Sequence, residues 1–244
     1  VITFGQKFDV EDYQLELDFQ PQNLYLSAKA KISVLSQVDG LDSVKFKFNP
    51  DLEILRIFDS ERRELLFTQD RRGRILYVYF LEPVAKNGRI SVEVFYRGRL
   101  DPPVQLTDTV VDPQYSDPDT FMPARYETYL FSQSAEWYPA PPDEDYFFAR
   151  LKIIAPPEYS SISNGLLLER GVLNGVQRVT EIDKVGSSYS VYETKSPVKY
   201  LSFLVGKLTL AQESANPLPL SLYFSSDARS PRKNLLEEAG RILT

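Results

Sequence analysis

The carboxylates are the first candidates for chemistry, because the sequence contains no histidine and no cysteine. That absence removes Ser-His-Asp and Cys-His catalysis, disulfides, and zinc held by imidazole or thiolate. Carboxylate chemistry, Ser-Lys chemistry and oxygen-ligated metals stay open. Asp143, Glu144 and Asp145 could supply a glycosidase acid and base. Such a pair needs about 5–9 Å across a cleft, usually from different elements. Adjacent acids beside Pro139, Pro141 and Pro142 do not offer that arrangement. Asp101, Asp108, Asp112, Asp117 and Asp119 carry oxygens of the kind calcium takes, but not at EF-hand spacing, and they read as a solvated loop. Ser196, with Lys195 and Lys199 beside it, is set aside as a nucleophile. The chain itself is expected to hold no catalytic residue and no metal ligand.

A different kind of candidate is the run from Tyr126 to Pro139, which concentrates three Tyr, one Phe and the only Trp beside a proline-rich turn. Two readings stay open. Trp137 and Tyr138 could close the end of a core. Alternatively the segment could line a groove or a domain interface, where Trp and Tyr are enriched.

The elements that must position these residues read as strands. Tyr13, Leu15, Leu17 and Phe19 recur at every second position, with Glu16 and Asp18 between them. Leu24, Leu26, Ala28, Ala30, Ile32 and Val34 form a longer series, with Lys29 and Lys31 on its other face. Val44, Phe46 and Phe48 behave alike, as do Ile90, Val92, Val94 and Tyr96, and Phe147, Ala149, Leu151 and Ile153. A period of two with one wet face is antiparallel-sheet behaviour. Strands are also expected at Ile162–Glu169, Val176–Asp183, Ser188–Glu193, Lys199–Val205, Leu208–Gln212 and Leu218–Phe224. Turn dipeptides that tolerate positive φ fall at Asp39-Gly40, Asn87-Gly88, Asn164-Gly165 and Asn174-Gly175. Asp70-Arg71-Arg72-Gly73 is expected to be a hairpin tip with solvated arginines.

Two stretches break the rhythm. Leu100 to Met122 is too long for a plain hairpin loop. After Ser230 and Pro231, Leu235, Leu236, Ala239, Ile242 and Leu243 fall on one helical stripe. The expected architecture is all-β: a saddle-like antiparallel β-sandwich of two or more sheets over residues 1–226. Residues 227–244 then form a linker and short helix that looks like the entry to a further domain.

Composition narrows the function classes. A 244-residue chain with 43% hydrophobic and 25% charged residues is globular rather than disordered. Its net charge of −6 argues against a nucleic-acid role. No stretch approaches the roughly 20 apolar residues that span a bilayer. Val1 to Val10 lacks a signal-peptide pattern, and a chain beginning with Val is expected to be a processed or excised piece.

The order of these elements resembles the N-terminal β-domain of the aminopeptidase N family of zinc metallopeptidases, also called membrane alanyl aminopeptidases. The residues that carry the resemblance are Tyr13–Phe19, the strand Leu24–Val34, Gln133 to Glu136, Trp137-Tyr138-Pro139, Asp143-Glu144, Pro156 to Tyr159 followed by Asn164-Gly165, and Pro197 to Gly206. The pattern is similar to divergent bacterial members, and it covers nearly the whole chain. The resemblance implies a non-catalytic domain covering one side of a peptidase cleft. It implies no cofactor in this chain and zinc in a catalytic domain that would follow it. The implied partners are that domain and a peptide substrate. It further implies that Gln133, and second Glu136, meets the substrate's free α-amine, with cell envelope and cytoplasm both open as locations. The competing reading is a free-standing carbohydrate- or protein-binding β-sandwich, with the aromatics of 126–138 as its platform.

Overall fold

The computed structural model describes residues 7–102, 128–143, 145–173, 186–215 and 218–225. The expected helix over 231–243, the strand Val176–Asp183 and most of the 101–119 aspartate loop lie outside the described residues. Within them the chain is all-β. In chain order the strands are β1 (Phe8–Gln20), β2 (Tyr25–Ser36), β3 (Leu41–Lys47), β4 (Leu52–Phe58), β5 (Leu66–Asp70), β6 (Ile75–Val84) and β7 (Arg89–Arg99). They continue with β8 (Thr128–Phe131), β9 (Phe148–Ala155), β10 (Ser160–Ser163), β11 (Leu166–Val172), β12 (Ser188–Glu193), β13 (Phe203–Gly206), β14 (Leu208–Ala215) and β15 (Leu218–Ser225).

A seven-stranded sheet of order β11-β12-β9-β1-β2-β7-β4 forms the backbone of the fold. Three smaller sheets join it: β3-β6-β5, β10-β13-β8 and the hairpin β14-β15. Pairing is antiparallel except between β1 and β9, which run parallel from Asp12↔Phe148 to Asp18↔Ile154. A parallel neighbour needs a long crossover, and here more than a hundred residues intervene.

The alternation read from sequence is the alternation of burial. Tyr13, Leu15, Leu17 and Phe19 on β1, and Leu26, Ala28, Ala30, Ile32 and Val34 on β2, are buried. Aromatic contacts then tie the sheets together. Phe19 meets Phe131 at 4.9 Å and Phe203 at 6.0 Å between ring centres, joining the large sheet to β10-β13-β8. Phe8 meets Phe46 at 5.9 Å, and Tyr96 meets Phe48 at 5.2 Å, joining it to the β3 sheet. Each such side chain contributes about 1.5–3 kcal/mol through burial, so the joints hold without disulfides.

Leu208–Gln212 extends to Ala215, while two expected strands are divided or shortened. Ile162–Glu169 divides into β10 and β11, because Gly165 sits at φ +89 and a Cβ there would lie 2.3 Å from the Glu193 carbonyl oxygen. Lys199–Val205 contracts to β13, since Leu201 instead donates its N–H to the Tyr138 hydroxyl at 3.2 Å. The hairpin tip after β5 forms as expected, with the Asp70 carboxylate accepting from the N–H groups of Arg72 and Gly73 at 3.1 and 2.9 Å.

Candidate functional site

Gln133 and Glu136 lie in a tight turn just after β8. The β8 strand cannot continue past Phe131, because Gln133–Ala135 close a single 3₁₀ turn. Ala135 donates to the Ser132 carbonyl at 3.1 Å and Glu136 to the Gln133 carbonyl at 3.0 Å. Glu136 ends the turn in the left-handed region, at φ 47 and ψ 38. A non-glycine residue persists there only when its surroundings hold it.

Those surroundings come from the β3–β4 connection. Asn49 donates its backbone N–H to the Glu136 carbonyl at 3.0 Å and its side-chain amide to the Ala135 carbonyl at 2.7 Å. The Asn49 side-chain oxygen accepts the Asp51 N–H at 2.9 Å, so both ends of its amide are used. Arg74, at φ 56 just past the hairpin tip, donates through Nε to Oε2 of Glu136 at 2.5 Å. Lys47 and Ala140 exchange two backbone hydrogen bonds at 2.8 and 3.0 Å, which continues the seam beyond the turn.

The turn therefore presents its two candidates differently. Gln133 is exposed, whereas the Glu136 side chain is 20% exposed and committed to Arg74. Between them Ala135 is buried, so the turn is a rim and its far side is core.

Trp137 and Tyr138 belong to that core, both with no solvent exposure. Trp137 stands 4.9 Å from Phe203 and 4.7 Å from Tyr138 between ring centres. Tyr138 accepts from Leu201, and burial pushes its hydroxyl up to about 12. Tyr13 donates to the Pro139 carbonyl at 2.7 Å. Of the two readings of this segment, core closure holds for Trp137, Tyr138 and Phe131, and groove lining does not. The aromatic platform expected of a binding module at 126–138 is not formed by these three rings.

The other candidates disperse. Asp145 serves structure: its Oδ2 accepts the Val10 N–H at 3.1 Å and its Oδ1 accepts the Tyr146 N–H at 2.8 Å. Its neighbour Glu144 is outside the described residues. Ser196 and Lys199 do have the Ser-x-x-Lys spacing, as Ser-Pro-Val-Lys. Here that spacing falls on a bend held by a single bridge, with Val198 paired to Phe147 and the Lys199 ammonium 5.2 Å from the centre of the Tyr146 ring. Among the described residues no group of three His, Cys, Asp or Glu side chains could hold a metal ion. The zinc implied by the resemblance thus finds no fit in them.

Sequence reasoning missed Asn49 and Arg74, which hold the turn. The Asn49-Pro50 dipeptide is a turn signal that could have marked the first. Nothing local marks the second, which meets Glu136 from 62 residues away.

No family model matches the sequence, and no curated protein matches it. Solved structures do. The fold is similar to an M1 zinc metallopeptidase from Deinococcus radiodurans, with a TM-score of 0.67 and 13% identity, covering 98% of this chain and 52% of that one. A mutant of the M1 zinc metallopeptidase from Deinococcus radiodurans bound to a Tyr-Ser-Ala substrate matches at TM-score 0.67 and 14% identity, over 98% of this chain and 52% of that one. A two-domain M1 zinc metallopeptidase mutant bound to L-arginine matches at TM-score 0.67 and 14% identity, over 93% and 50%. At such identities the likeness is one of fold. The chain spans about half the length of the structures it matches.

Proposed function

We propose that this chain is the non-catalytic N-terminal domain of a zinc-dependent aminopeptidase, covering one side of the substrate cleft and helping to bind the substrate's N-terminus. The observation that carries the reading is the extent of the fold likeness. Nearly the whole chain superposes on about half of several zinc metallopeptidases. The order of motifs from Tyr13 to Gly206 supports the same assignment.

Gln133 is the residue proposed to meet the free α-amine. Its amide oxygen can accept from an ammonium, and a charge-assisted hydrogen bond of that kind favours substrates with an unblocked N-terminus. Its exposure on a turn anchored from behind by Asn49 leaves it open to a ligand while its backbone is held. Glu136 is then the residue that orients the turn through Arg74. The zinc and the general base belong to the catalytic domain proposed to follow.

The natural reading frame beyond Thr244 tests this assignment. A His-Glu-x-x-His within about the next hundred codons is the expected outcome. A stop codon directly after Thr244 would instead favour the free-standing binding module.

A further inference from the structure

The outer face of the seven-stranded sheet carries a ladder of charges with one rung neutral. Along one row the register places Lys152 opposite Glu16, and Glu16 opposite Lys29. Signs alternate, and the Lys152 ammonium reaches Glu16 at 3.2 Å. The next row reads Glu193, Arg150, Gln14, Lys31 and Glu93 across β12, β9, β1, β2 and β7. Alternation calls for an anion at the centre of that row, and the residue there is Gln14.

Gln14 consequently has Arg150 directly opposite on one side and Lys31 on the other, with Lys29 and Lys152 on the diagonals. Directly paired side chains stand about 5 Å apart and diagonal ones about 7–8 Å, within reach of long cationic side chains. These residues line an open groove of about 170 Å³. Its lining holds four cations against two carboxylates, Glu16 and Glu93, in a chain whose net charge is −6. Both carboxylates are engaged. Glu16 pairs with Lys152, and Glu93 pairs with Lys29 at 3.7 Å and Arg62 at 2.7 Å. Lys31 and Arg150 are exposed; Lys31 stands opposite Glu93 and near Asp12, and Arg150 stands opposite Glu193, so the acids of this row sit to the outside of the two cations.

We propose that this groove binds a phosphate-type oxyanion over Gln14. The arginine fork of Arg150 suits two oxygens of one phosphoryl group. Lys31, two strands away, supplies a point charge for a third. The Gln14 amide, which otherwise donates to Asp12, is the neutral donor between them. A carboxylate has two oxygens and would leave one of these cations unanswered. The groove shares no residue with the turn carrying Gln133, so it neither needs nor tests the peptidase reading.

The test is titration of the full chain with inorganic phosphate, followed by amide chemical shifts, against chloride at matched ionic strength. Saturable shifts at residues 14, 31 and 150 are expected, with a dissociation constant on the order of 1 mM. Lys31→Gln and Arg150→Gln should each weaken binding about tenfold. Gln14→Glu fills the rung from within, so it should abolish saturable phosphate binding while leaving the melting temperature unchanged or higher. Vesicles with and without phosphatidate separate a lipid headgroup from a soluble phosphate. Cosedimentation lost in Gln14→Glu would assign the headgroup as source and keep the site. Non-saturating shifts spread over all surface lysines, or phosphate binding undiminished in Gln14→Glu, would overturn the proposal.

Discussion

The guanidinium of Arg74 and the carboxylate of Glu136, 62 residues apart in sequence, meet at 2.5 Å where each backbone is in the left-handed region, at φ 56 and φ 47. One ion pair thus joins two strained turns, the β5–β6 tip and the turn carrying Gln133. The pair is partly exposed, with side-chain exposures of 46% and 20%, so its own worth is about 0–1 kcal/mol. The strain at position 136 is of similar size. Glu136→Gly should therefore be more stable than Glu136→Ala by about 1 kcal/mol in denaturant unfolding, because glycine relieves the backbone while both lose the ion pair. Equal stability of the two variants would mean that no strain is held there.

Asn49 is the other anchor of the turn. Asn49→Ala removes the donor to Ala135 and the acceptor for Asp51 at a site that is 9% exposed. The expected loss is about 1–3 kcal/mol, since a buried carbonyl is left without its partner. Chemical denaturation with an unchanged m-value checks it.

Two buried tyrosines should respond oppositely to loss of the hydroxyl. The Tyr13 hydroxyl donates to Pro139, whereas the Tyr96 hydroxyl is buried without a partner. Tyr13→Phe should destabilise by about 1 kcal/mol, and Tyr96→Phe should be neutral or stabilising, because an unsatisfied buried group is costly. Thermal melts of the two variants side by side provide the comparison, and destabilisation by Tyr96→Phe would contradict it.

Asp9 gives stability a pH dependence of unusual sign. Burial, a hydrogen bond with Asp145 and the nearby charges of Asp145 and Glu11 raise its carboxyl from 3.8 to about 6. The folded protein then keeps a proton that the unfolded chain releases above 3.8. The stability from this group is complete below about pH 3.8 and is lost as pH rises through 6. Asp9→Asn should therefore stabilise the protein at pH 7 relative to wild type, with the difference shrinking towards pH 4. Melting curves across that range measure it, and a difference that grows on acidification would show the sign to be wrong.

Much of this fold was legible because its strands are half-wet. β1, β2, β7 and β9 announce themselves by period two, and most of each apolar series is buried. β4 was not legible, because a register shift between Ile54 and Arg56 breaks its alternation. Within the expected strand Ile162–Glu169, the apolar run Leu166-Leu167-Leu168 is exposed on edge strand β11, where a shift between Leu167 and Glu169 again upsets the alternation. The parallel union of β1 with β9 left no local mark, being a choice of partner over a long crossover. The candidate site divides in the same way. The polar break at Gln133 was visible within an aromatic run, while its supports Asn49 and Arg74 come from the distant β3–β4 and β5–β6 connections and are set by tertiary packing.

The central claim is that this chain serves an aminopeptidase and meets the substrate amine through Gln133. The most direct measurement is kcat/KM of the full-length natural protein and its Gln133→Ala variant on matched free-amine and amino-blocked peptides. The account predicts hydrolysis of the free-amine peptide, lowered roughly ten- to a hundred-fold by Gln133→Ala, as loss of one charge-assisted hydrogen bond requires. Any slow cleavage of the blocked peptide should be unchanged. No hydrolysis of free-amine peptides by the full-length protein, or equal losses on both peptides, would contradict it.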